Sequence, residues 1–74
     1  MNNIVKLKNI IIPSSFKKKK PRLDKLTERM EYFEKTGLFF VPIVVTDDLV
    51  LIDGYTSYLV AKKYNLNKVK VEYI

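Results

Sequence analysis

Four consecutive lysines, Lys17, Lys18, Lys19 and Lys20, followed by Pro21 and Arg22, form the densest charge in this sequence. In a loop, such a run can track a phosphate backbone, and the Arg22 guanidinium can grip one phosphate through two parallel hydrogen bonds. The same run also reads as a solvated loop that keeps a basic chain soluble. A second candidate is Asp53-Gly54-Tyr55-Thr56-Ser57. As a tight turn opening a helix, it gathers unpaired N–H groups, the positive end of a helix dipole and two hydroxyls, a natural phosphate cradle. Gly54 would let a ligand approach the backbone, and Tyr55 would line the pocket. The alternative is an ordinary helix start, with Asp53 as cap, Gly54 at positive φ and the hydroxyls bonded within the first turn. Asp53 would repel an anion unless a metal or a lysine offset it.

Composition removes much other chemistry. The sequence contains no cysteine and no histidine. Disulfides, thiolate nucleophiles, classical zinc sites and histidine general bases are therefore excluded. A hydrolase or phosphoryl-transfer enzyme would need Asp53 or another acid together with a divalent metal. Glu28, Glu31 and Glu34 read as a solvated helix face. No catalytic residue and no metal ligand is assigned, and the chain reads as a binding protein rather than an enzyme.

The 74 residues suit a single domain, 1–74, with 47% hydrophobic residues to form its core. Ile4–Ile12 reads as a strand ended by Pro13-Ser14-Ser15, with Phe16–Lys20 as a loop. Pro21 suits the first turn of a helix over Leu23–Thr36, in which Leu23, Leu26, Met30 and Phe33 share one face and Gly37 ends the element. Val41–Val45 and Leu49–Ile52 read as strands joined by Thr46-Asp47-Asp48. Tyr55–Tyr64 is a second helix ended by Asn65, and Val69–Tyr73 is a final strand. The predicted class is α+β in the order β-α-β-β-α-β, a short sheet with two helices.

The net charge of +6 is unevenly placed. Residues 1–20 hold six lysines and no acid, whereas the rest holds eight basic and eight acidic side chains. An anionic partner near the N-terminal loop is the expectation, with nucleic acid or a nucleotide first in line. No apolar run approaches the roughly 20 residues that cross a bilayer, and the N-terminus lacks the order of a signal peptide, so an intracellular, cytoplasmic protein without a membrane partner is expected.

Two stretches resemble the ParB/sulfiredoxin-like family, the nucleotide-binding N-terminal module of ParB partition proteins. Pro21-Arg22, Leu26, Gly37 and Pro42-Ile43-Val44-Val45 look like its first box, with one extra residue between Gly37 and Pro42. Leu51-Ile52-Asp53-Gly54-Tyr55-Thr56-Ser57-Tyr58, leading to Ala61, looks like its second. The resemblance covers nearly the whole chain. It implies that the Gly54 turn and Arg22 hold phosphate, with a nucleotide and its Mg²⁺ as the cofactor to consider. Thr56 and Ser57 stand where relatives carry paired arginines, and the sulfiredoxin cysteine is missing. The sequence also shows no helix-turn-helix or dimerisation segment, so centromere binding and clamp formation are not implied.

Phe39 and Phe40 are adjacent, so in an extended segment they point opposite ways. One is expected in the core; the other, if exposed, suits base stacking or a protein partner. A small core using both rings is the other reading. They carry the rival to the phosphate-binding reading, a phage or mobile-element protein that docks on a host nucleic-acid-binding protein after losing the ancestral pocket.

Overall fold

A computed structural model describes residues 3–18 and 20–74; Lys19, one of the four lysines singled out above, lies outside the described residues. Strand β1 (Ile4–Lys6) is followed by a 3₁₀ turn (Leu7–Asn9) and a short helix α1 (Ser14–Lys18). Then come helix α2 (Leu23–Thr36), strands β2 (Ile43–Val45) and β3 (Leu51–Asp53), helix α3 (Tyr55–Lys63) and strand β4 (Lys68–Tyr73). The expected order is present, with α1 as an addition where a loop was expected.

The four strands form one mixed sheet in the order β1-β4-β2-β3. β4 runs parallel to β2 and antiparallel to β1, and β2 and β3 form an antiparallel hairpin. Ile11 bridges to Val50 beyond β3, so the segment that starts as one edge ends beside the other. A 3₁₀ turn rises about 2 Å per residue, so Lys6 to Ile11 covers on the order of 13 Å. Four flat strand spacings would need about 19 Å. The sheet therefore curls, and this explains why Ile4–Ile12 is not one strand: the chain must tighten at Leu7–Asn9 to turn the corner.

The core lies inside this curl, where Ile43, Val45, Leu51, Val69 and Val71 meet Ala61 of α3 and Leu7 and Ile10 of the crossover. α2 packs on α3 through half-buried side chains, among them Phe33, which meets Tyr64 at 5.2 Å between ring centroids. Leu23, assigned to the apolar face by its spacing, is instead 79% exposed, because the first turn of α2 overhangs the core. The Tyr64 hydroxyl donates to the Glu34 carboxylate. That hydrogen bond, more than burial or charge repulsion, raises the phenol above its ordinary range.

The helix ends follow the expected chemistry in part. Gly37 (φ 72°) and Asn65 (φ 55°) both take the left-handed conformation after their helices. Pro21 lies outside α2, whose cap is Arg22. Leu49 also adopts positive φ, so the hairpin turn includes it and β3 starts later than the sequence suggests.

Candidate functional site

The second box folds as strand, turn and helix, but its residues are used differently from the expectation. Asp53 does not cap α3: its carboxylate accepts from the N–H of Gly54, 2.8 Å away, and Gly54 itself is the N-cap in a left-handed conformation (φ 84°). The expected close approach at Gly54 is real, but the approaching group is the protein's own backbone. A Cβ there would lie 2.1 Å from the Pro42 carbonyl oxygen and 2.9 Å from the Ile43 Cα. Glycine is required because β3's exit presses on β2's entry.

Ser57 faces the same neighbour. It is 2% exposed and its hydroxyl donates to the Val41 carbonyl, sixteen residues back. This bond ties the first turn of α3 to the Val41–Pro42 segment. Ser57 therefore belongs to the packing of the turn, because burial withdraws its hydroxyl from any external anion. Asp53 is exposed, and Tyr55 and Thr56 are half-buried, so these three border the open side of the turn.

The basic segment approaches that open side through an aromatic residue expected in a loop. Phe16 of α1 packs against Tyr55, the first residue of α3, with centroids 5.5 Å apart. Tyr55 in turn stacks on Tyr58 at 6.1 Å. Lys17 and Lys18 follow Phe16 directly and are exposed, as is Lys20. Lys17 and Lys18 are thus anchored beside the turn rather than trailing from it. A proline followed by two serines is helix-start chemistry, and that was the signal available for α1. Arg22 sits at the cap of α2, largely exposed, with its Nε 3.5 Å from Asp24 Oδ1. A surface pair of this kind is worth about 0–1 kcal/mol, so it holds Arg22 only loosely.

The two phenylalanines divide as alternation demands. Phe39 packs against the core and stacks on Phe33 at 5.3 Å. Phe40 is 52% exposed, meets Tyr32 edge-on at 5.3 Å, and carries the Arg29 guanidinium 3.8 Å over its ring. This surface lies on α2 and the segment after it, and neither Arg29 nor Tyr32 stood out in the sequence.

No family model matches the sequence, and no curated protein matches it. Solved structures do. A pNOB8-like ParB N-domain, in a C222₁ crystal form, superposes with a TM-score of 0.77 at 23% identity, covering 95% of this chain and 27% of that one. A further structure of the pNOB8-like ParB N-domain gives a TM-score of 0.75 at 26% identity, covering 95% of this chain and 25% of that one. This chain thus spans about a quarter of the length of the chains it resembles. The chain is thus a small α+β domain, a four-stranded mixed sheet with helices, of the ParB N-domain-like fold.

Proposed function

We propose that this domain binds a phosphate-bearing ligand, nucleic acid or a nucleotide, with Lys17, Lys18, Lys20 and Arg22 supplying charge next to the turn formed by Asp53, Gly54, Tyr55 and Thr56. The observation that carries this reading is the Phe16–Tyr55 contact, which seats the basic helix α1 at the first residue of α3. Two features that looked separate in the sequence thereby become neighbours. The lysines compensate for the arginines missing after Gly54, and they also offset the exposed Asp53 carboxylate. With a nucleotide, an accompanying Mg²⁺ would add to that offset.

The test is fluorescence anisotropy with a labelled 20-nucleotide duplex and a labelled nucleoside triphosphate, titrated in low salt. Replacing Lys17–Lys20 by glutamine is expected to weaken binding at least 10-fold. On duplex DNA, the log–log salt dependence should become shallower by about 0.9 for every phosphate that the variant no longer neutralises. Undetectable affinity for both probes at low salt refutes the proposal.

A second reading is supported by Phe40, whose ring is exposed and held by Arg29 and Tyr32 of α2. In that reading the domain docks on a protein partner through this aromatic surface. Phe40→Ala separates the two. It should change stability by only about 1–2 kcal/mol, the worth of an exposed cation–π contact together with one aromatic pair. Under the phosphate reading it leaves anisotropy titrations unchanged, whereas under the docking reading it abolishes partner capture.

A further inference from the structure

The chain's basic character has a second focus, away from the Gly54 turn. Lys6 of β1 and Lys68 of β4 are direct register partners, and Lys70 lies two residues further along β4, all three exposed. Like charges directly opposite in a sheet are destabilising, by up to about 1 kcal/mol. Neither ion pair among the described residues, Arg22–Asp24 and Arg29–Glu28, involves them, and the acid on their own face of β4, Glu72, stands beyond Lys70 at the far side from Lys68. The backbone then folds this end of the sheet against the exit of α3, since the Leu7 N–H donates to the Asn67 carbonyl at 3.0 Å.

At this junction lies a cavity of about 340 Å³, lined by Leu7, Lys8, Tyr58, Lys62, Asn65 and Asn67, with Leu66 as floor. That volume falls at the lower end of small-ligand sites, roughly 300–1,000 Å³. Its lining residues include two lysines, a tyrosine and two asparagines and no acid, beside a larger apolar share. Lysine offers only donors, and the phenol and carboxamides can each donate. Asp47 and Asp48 lie at the other end of the sheet: their hairpin follows Val45, the partner of Tyr73, five residues along β4 from Lys68. At about 3.3 Å per residue that is about 17 Å, beyond a Debye length in physiological salt.

We propose that this corner is a second anion site, taking a phosphate group between Lys8 and Lys62; Lys6 and Lys68 stand on the opposite face of the sheet, because Leu7 and Val69 face the core. One effect opposes it. The cavity adjoins the C-terminal end of α3, whose dipole carries about half a negative charge. The two lysines of that last turn, Lys62 and Lys63, outweigh it. The simpler role for Lys62, stabilising the helix end, leaves Lys8 and the acid-free lining of the cavity without a purpose.

The experiment is amide chemical-shift mapping on the whole chain, titrated separately with inorganic phosphate, a nucleoside triphosphate and a 20-nucleotide single strand. Saturable shifts are expected at Lys8, Asn65 and Asn67. Response to the two small anions assigns the site to free phosphate compounds, and response to the strand alone assigns it to a nucleic-acid backbone; either supports the proposal. The double variant Lys8→Gln/Lys62→Gln should weaken that response at least 10-fold while leaving shifts around Tyr55 in place. The variant with Lys17–Lys20 replaced by glutamine should do the reverse, so the two sites succeed or fail separately. The proposal is overturned if no probe shifts Lys8, Asn65 and Asn67, or if the double variant responds like the parent.

Discussion

Gly54→Ala is expected to destabilise the domain by at least 3 kcal/mol, whereas Gly37→Ala should cost only about 1–2 kcal/mol. Both glycines sit at positive φ, 84° and 72°, so both variants suffer the left-handed penalty for a residue with a Cβ. The difference is space. Nothing lies within 4 Å of a Cβ built on Gly37, but at Gly54 the Pro42 carbonyl oxygen lies 2.1 Å away and the Ile43 Cα 2.9 Å away. Both are backbone atoms, and Ile43, the first residue of β2, is fully buried. Relief would require pushing β2's entry away from β3, which would also pull Val41 from the Ser57 hydroxyl. At roughly 0.05–0.15 kcal/mol per residue, a chain of 74 residues holds about 4–11 kcal/mol in total, so the variant loses much of its margin. Urea midpoints measured on both variants check this. Equal losses at Gly54 and Gly37 would show that the Pro42–Gly54 contact is not tight in solution.

This contrast also shows how much the sequence could reveal. The pair Asp53-Gly54 announced a turn and a positive φ, and both are present. Which group fills the space of the missing Cβ was not legible, because Pro42 is brought there by sheet pairing. Ser57 tells the same story: its type suggested a hydroxyl for phosphate, but the partner that claims it is sixteen residues away. α2 was legible to the residue because its 3.6-residue period and terminal Gly37 are local signals. The Ile4–Ile12 stretch was not, because alternation carries no information about the curl that forces a 3₁₀ turn at Leu7–Asn9. The Lys6–Lys68 juxtaposition was hidden for a related reason: a one-residue change of register would separate the two side chains onto opposite faces. The lysine run was plain, but its anchorage through Phe16 depends on a helix only five residues long.

The second large effect is expected from neighbouring residues of β3 with opposite outcomes. Leu51 is 1% exposed, pairs with Val45, and donates its N–H to the Ile11 carbonyl at 2.9 Å. Truncation to alanine removes three carbons from the centre of the curl and leaves a cavity walled by β2 and the crossover. Such changes cost about 2–5 kcal/mol, the spread reflecting how far the surroundings collapse. With β2 on one side of it and the Ile11 segment on the other, the site collapses poorly, which places Leu51→Ala towards the upper end. Ile52 faces the other way and is 43% exposed, so Ile52→Ala should cost less than about 1 kcal/mol. Urea melts that show similar losses for the two would contradict the burial of one face only. The same variants separate stability from recognition. Leu51→Ala leaves every proposed phosphate contact in place, so at temperatures where it remains folded its anisotropy titrations should match the parent. Weakened binding by folded Leu51→Ala would mean that β3 positions the Gly54 turn more finely than the surface lysines need, and would move weight from α1 to the turn itself.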